Sequence, residues 1–171
     1  MDLQFSTTAK KEDVFINIEA YLLGKGFKIH NQDSSRPWGG FFVLDEQQAD
    51  KFIDSYFPSV KKESLLISGK LSPKILVVEP HKRLSWQYHY RRAEIWKLIG
   101  GTASVKTSDD DTEKEETILQ LGDIIQLRQG QRHRLIGTDH WGVVAEIWQH
   151  TDVEAPSDES DIVRVQDDFG R

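Results

Sequence analysis

From residue 65 to residue 148 the chain is divided into short runs rich in β-branched and aromatic residues. Turn residues such as Gly69, Pro73, Gly101, Gly122 and Gly130 fall between them. Parallel neighbours need a crossover of a dozen or more residues, and no such connection is present. Helical spacing is confined to the first third of the chain. Val14, Ile18, Tyr21 and Leu22 form one stripe that Gly24 and Gly26 end, and Ser6, Thr7 and Thr8 offer hydroxyls ahead of it. A second helix is expected over 45–56, where Ala49, Phe52, Ile53 and Tyr56 recur at three and four residues, with Pro58 beyond it. This order predicts a mainly β fold, an antiparallel barrel or jelly roll over 36–171 preceded by a helical extension over 1–35. Strands are expected at 65–67, 74–78, 101–107, 143–148 and within 161–171, and a loop at 151–160.

The length suits one domain with a sizeable core. There is no cysteine, so thiolate metal sites, disulfides and cysteine nucleophiles are excluded. Any metal must use imidazole, carboxylate or amide donors. A net charge of −6 argues against nucleic acid as a partner. The stretch from Met1 to Ser6 has neither a basic nor an apolar leader region, and no run approaches the ~18 apolar residues of a membrane span. The expectation is a soluble cytoplasmic protein without a membrane partner, whose exposed strand edges permit a homodimer.

Against that scaffold one polar spacing stands out. Gln87 and His89 are two apart, so on a strand they share a face. Glu94 is five beyond His89, which neither an unbroken strand nor a helix at ~100° per residue brings to that face. A turn over 90–93, with Glu94 opening the returning strand of a hairpin, brings the three together. A second segment, from Gly122 through Gly130 to His133, reads as strand, turn and a histidine opening the next strand. An amide, two imidazoles and a carboxylate suit a divalent first-row metal. Elsewhere Val144, Glu146 and Trp148 share one strand face. A glutamate buried there would have its pKa raised, as a general acid or base requires.

The two segments resemble the paired motifs of the cupin superfamily. Gln87 stands at the first histidine of the first motif, His89 at the second, and Glu94 and Gly101 at its Glu and closing Gly; Gly122, Gly130 and His133 match the second. The run Gln87, His89, Arg92, Glu94, Trp96 is similar, more narrowly, to the signature of type II phosphomannose isomerases. Those include the isomerase domain of bifunctional mannose-1-phosphate guanylyltransferases. Residues 36–39, 161–164 and 168–171 also resemble that family. The sequence departs from these patterns in four places: the opening Gly of the first motif is missing, with the turn 79–81 in its place, Ile95 replaces a histidine, Arg128 a proline and Gly137 an asparagine. By alternation Ile95 should point away from the metal.

The resemblance implies interconversion of mannose 6-phosphate and fructose 6-phosphate at one divalent ion held by Gln87, His89, Glu94 and His133. Zinc is the ion implied, and manganese, iron and nickel are chemically acceptable. Arg92 is expected to meet substrate or transition-state charge, Glu146 to do acid/base work with Lys74 as the alternative base, and Arg36, Arg164 and Arg171 to bind the sugar phosphate. Two alternatives stand beside this: an isomerase or epimerase of another phosphorylated sugar, and a non-enzymatic cupin that binds a sugar or nucleotide-sugar. The acidic run 108–116 is expected to be an exposed hairpin tip. His30, His140 and His150 are expected at the surface, and Arg91, Arg128, Arg132 and Arg134 in solvent beside turns.

Overall fold

A computed structural model describes residues 3–171; the first two residues of the 1–35 extension, and of the stretch read for a leader, lie outside the described residues. Helix α1 (Lys11–Gly24) carries Glu12 and Asp13 in its first turn, where the positive helix end favours them, and buries Val14, Phe15, Ile18 and Leu22. Its cap is not the expected one. Ser6 and Thr8 bond to each other at 3.0 Å in their own turn, and the helix starts after Lys10 without a side-chain cap. The second helix is split. Asp45 caps a 3₁₀ turn (Glu46–Gln48), and α2 (Ala49–Tyr56) follows, burying Phe52, Ile53 and Tyr56. A short α3 (Lys62–Leu65) stands where the strand at 65–67 was expected. That apolar run has no neighbouring strand to pair with, so only Leu65 is buried and Leu66 and Ile67 face outward.

Among the described residues nine strands form antiparallel pairs: β1 (Ile29–Asp33), β2 (Gly39–Leu44), β3 (Leu71–Val78), β4 (Trp86–Tyr88), β5 (Arg92–Ser108), β6 (Thr117–Leu119), β7 (Ile124–Leu127), β8 (Arg132–His150) and β9 (Val163–Gln166). Two of them are long and bent. β5 pairs with β8 from Arg92↔His150 to Ser108↔Arg132, with register shifts around Gly100 and Gly101. The last half of β8 also pairs with β3, which continues to β2 and β1, and the first half of β5 pairs with β7. The first half of β8 pairs with β4, which continues to β9, and the last half of β5 pairs with β6. The outcome is a jelly roll of two facing sheets that share β5 and β8, as expected for the fold class. The hydrogen-bonded ladder itself does not close into a barrel, because β1 and β9 remain edges among the described residues.

The corner is built from glycine. Gly101 has φ +64° and faces Gly142; a Cβ on Gly101 would lie 1.6 Å from the Trp141 carbonyl oxygen. Only a residue without a side chain permits both the left-handed backbone and that approach.

Strand alternation then separates two cores. Ile75, Val77, Ile95, Val143, Ala145 and Ile147 face the helices and pack with Phe15, Ile18, Phe42 and Phe52. Leu76, Val78, Trp96, Leu98, Val144 and Leu135 face the space between the sheets with Trp38 and Phe41. Among the described residues no helix is long and apolar enough to cross a membrane.

Candidate active site

The space between the sheets opens at one end into a pocket of about 620 Å³ including its mouth. Neighbouring rows of the first sheet supply one wall. Lys74 and Trp96 are both cross-strand partners of Glu146, and Glu94 is the partner of Trp148. The facing sheet supplies the other wall, where Gln87 is the partner of both His133 and Arg164. One expected detail is thereby corrected. β4 and β5 are not the arms of a hairpin; they lie in opposite sheets, and the turn at 89–91, with Tyr90 exposed, carries the chain from one to the other. Alternation determines which face a side chain takes, while the partner strand is chosen by distant packing.

His89, Glu94 and His133 come together fully buried, with one donor atom from each within 4.8 Å of the others. His89 Nε2 lies 3.3 Å from Glu94 Oε1, and His133 Nε2 lies 3.4 Å from Glu94 Oε2. Each imidazole is oriented from behind. His89 Nδ1 meets the Asp161 carbonyl at 2.6 Å, and His133 Nδ1 meets the Gln131 carbonyl at 2.9 Å. A carbonyl only accepts, so both rings carry a proton on Nδ1 and turn Nε2 toward Glu94. His133 Nε2 is buried with no hydrogen-bond partner among the described residues, a state that costs free energy unless another group pairs with it.

A divalent ion fits this donor set. Imidazole and carboxylate donors suit such an ion, and both rings already turn Nε2 inward while Nδ1 is held from behind. Burial lowers the pKa of His89 to about 3, so the ring is neutral. Burial alone would raise that of Glu94, but His89, Arg92 and His133 hold it well below the usual range. Gln87 lines the same pocket beside His133, its amide oxygen accepting from Ser85 Oγ at 2.6 Å. Arg92 adds the nearest positive charge, donating to Glu94 Oε1 at 2.7 Å and reaching His89 Nε2 at 3.1 Å, with its guanidinium 3.7 Å from the Trp148 ring centre.

Glu146 is buried on the same wall. Its Oε1 accepts from Trp96 Nε1 at 2.9 Å, and its Oε2 has no partner among the described residues. The same indole N–H lies 3.1 Å from Glu94 Oε2, so one donor serves two carboxylates. Burial first and the Glu94 charge second raise the pKa of Glu146 to about 8, against smaller opposing effects of Lys74, Arg92 and Trp96. Lys74 is held between aromatic rings, 4.2 Å from the centres of both Phe41 and Trp148, and its ammonium donates to Glu159 at 2.6 Å.

The far end of the pocket is cationic. Arg36, Arg164 and Arg171 all line it. Arg36 is neutralised in part by Asp33 at 2.8 Å and Arg171 by Asp167 at 3.0 Å, whereas Arg164 Nε is buried without a partner among the described residues. Burial, then the charges of Arg171 and Arg36, push the Arg164 pKa down. That is the signature of a cation held against its neighbours. Of the ten residues proposed from the sequence, the eight other than the two histidines line this pocket, and the histidines stand at its floor beside Glu94.

Two contributors have no role assigned from the sequence, although Asp161 falls in the 161–164 stretch that resembles the family. Asp161 reaches the site through its backbone carbonyl, and Glu159 through a contact across 85 residues of chain. Two expectations of surface exposure fail. His150 is buried between Ser72 Oγ, 2.7 Å away, and the Ser157 N–H, and Arg134 is buried where it donates to the Leu84 carbonyl and to Glu113. Both lie at strand positions whose inward face is occupied by polar partners from distant segments. His30 and His140 are exposed, and the 109–116 segment is a loop between β5 and β6, tied down by Arg128, Arg132 and Arg134.

Comparison with known proteins agrees with the fold. Among solved structures, hazelnut vicilin matches 81% of this chain (36% of its own) with TM-score 0.54 at 19% identity. Oxalate decarboxylase from Bacillus subtilis matches 78% (29% of its own) with TM-score 0.52 at 16% identity. Likeness at that identity concerns the cupin fold alone. Among curated proteins, alginate biosynthesis protein AlgA of Pseudomonas aeruginosa is 33% identical over 75% of the chain, and xanthan biosynthesis protein XanB of Xanthomonas campestris 30% identical over 80%. The mannose-1-phosphate guanylyltransferase of Salmonella montevideo is 30% identical over 68%. The chain spans only 26%, 23% and 23% of those three relatives. The family model described as mannose-6-phosphate isomerase C-terminal matches residues 45–167, and the chain belongs to that family.

Proposed function

We propose that the chain is a metal-dependent isomerase that interconverts mannose 6-phosphate and fructose 6-phosphate through an enediolate. One observation carries the reading: a single pocket joins a buried His–Glu–His cluster, a glutamate with a strongly raised pKa, and a group of three arginines, one of them unpaired among the described residues. Aldose–ketose exchange moves a proton between neighbouring carbons while negative charge gathers on the two adjacent oxygens. A divalent ion at His89, Glu94, His133 and Gln87, zinc best and manganese, iron or nickel acceptably, would supply Lewis acidity for that charge.

The protein's own groups do the rest. Arg92, packed on Trp148, places a fixed positive charge beside the oxygens. Glu146 takes the proton from one carbon and returns it to the next, since a carboxyl titrating near the working pH both accepts and donates readily. Its free Oε2 is the atom for this exchange. Lys74 is the alternative base. Arg36, Arg164 and Arg171 hold the phosphate, because planar guanidinium groups grip phosphate oxygens in pairs.

The test is a coupled assay with mannose 6-phosphate on protein stripped of metal and then reloaded. Turnover should vanish with the ion and return with it. Protein that still binds one ion, yet turns over neither sugar phosphate with any of the four metals, would overturn the reading.

A further inference from the structure

The segment 156–161 crosses the pocket mouth as a strap, and nearly every polar group on it is tied down. Arg91 donates to the Pro156 carbonyl at 2.7 Å, and Arg92 donates to Ser157 Oγ at 2.8 Å and to the Asp158 carbonyl at 3.2 Å. The Asp161 carboxylate accepts from the Tyr90 and Arg91 N–H groups, both at 3.0 Å, and its carbonyl orients His89. Ser157 N–H donates to His150. One side chain is the exception. Glu159 makes a single polar contact among the described residues, 2.6 Å from Lys74, and is itself 56% exposed while Lys74 is 5% exposed.

A half-exposed carboxylate on a buried ammonium is a poor structural anchor, since solvent screens it and its rotamers are free. As an occupant of the pocket it makes better sense. Glu159 offers Lys74 the kind of oxygen that a sugar phosphate would offer, at the entrance to the same space. Because the strap is fixed at both ends, the carboxylate can leave by side-chain rotation alone, a nanosecond event that needs no loop opening.

We infer that Glu159 is a gate and affinity-setting residue: its carboxylate occupies Lys74 in the free protein and is displaced when an anionic oxygen of the substrate takes its place. The identity of that substrate rests on the function proposed above; the gate itself does not. An internal competitor weakens apparent affinity by the fraction of time the site is open. A gate closed about four-fifths of the time costs about five-fold.

Two measurements on the metal-loaded full chain separate the claims. Calorimetric titration with fructose 6-phosphate should give about five-fold tighter binding for Glu159→Gln, with Glu159→Asp intermediate. Where the parent binds measurably, unchanged or weaker binding by a folded Gln variant overturns the gate. The second needs no substrate: acylation of Lys74 by an amine-reactive ester, followed by mass spectrometry, should be faster in Glu159→Gln than in the parent. Equal rates also overturn the gate. Faster labelling with no heat from either sugar phosphate in either protein would leave the gate standing and remove the phosphomannose reading instead.

Discussion

The two faces of the sheet built from β3, β8 and the first half of β5 are made by the same strands and carry opposite chemistry. On the helix side, Ile75, Ile95 and Ile147 lie in a dry apolar core. One residue earlier on each strand, Lys74, Glu94 and Glu146 form the polar wall of the pocket. The helix side is bought with ordinary burial, roughly 25 cal/mol per Å² of apolar surface. The pocket side places three charged or titratable groups where water is scarce, and each is tolerable only because a neighbour compensates it. A one-residue slip in register would exchange the two sets, so the apolar face also specifies where the chemistry stands.

That contrast can be broken from the pocket side first. Glu146→Gln should lower turnover by about 10²–10⁴-fold, the usual weight of a general acid or base, while the protein stays folded. In metal-stripped protein the same change has a thermodynamic sign. Between the ordinary carboxyl value of 4.5 and about 8, the native chain keeps a proton that the unfolded chain has released. The stability due to this group is therefore full at low pH and is lost as pH rises through about 8. Buried neutral His89 acts in the other direction, but only below its ordinary value of 6.5. Denaturant titrations from pH 6.5 to 8.5 should show the decline in the parent and none in Glu146→Gln. Equal slopes would mean that Glu146 is ionised throughout and would weaken its acid/base role.

The helix side should respond in the complementary way. Ile147→Ala is expected to cost about 2–5 kcal/mol by urea unfolding, with kcat of the folded fraction unchanged well below the midpoint. A large loss of kcat at full folding would show that the two faces are not independent. The mildest change sharpens the comparison most. Ile95→His restores the histidine of the family signature, yet position 95 is fully buried in the helix-side core. It should cost about 1–3 kcal/mol for a polar group placed among apolar ones, with no gain in ion affinity by competitive chelation. Tighter ion binding would mean that β5 had shifted register to deliver the new ring to the pocket.

Much of this was legible before any coordinates. Alternation located the strand faces, so Gln87, His89, Glu146 and the outward turn of Ile95 followed from period two. The spacing of Glu94 required the chain to turn between residues 89 and 94, which it does. What failed was partner choice. Proximity in sequence suggests a hairpin of β4 and β5, whereas their real partners, β8 and β9 for the one and β6, β7 and β8 for the other, are selected by packing far along the chain. His150 and Arg134 were placed in solvent because local pattern has no record of Ser72, Ser157, Leu84 or Gln166 arriving from elsewhere. Glu159 over Lys74 belongs to the same class, a long-range polar contact with no periodic trace.

The bent ladder of β5 and β8 also orders events in time. Its Ser108↔Arg132 end closes a shorter loop than its Arg92↔His150 end, and the glycine corner at Gly101↔Gly142 lies between. Loop closure is less costly for near neighbours, so pairing should spread from the end beside the acidic loop, round the corner, and reach the rows of Glu94 and Glu146 late. Substitutions in those rows should therefore speed unfolding more than they slow folding, a partition that stopped-flow kinetics would reveal. The reactive wall is the part of this chain that finishes last.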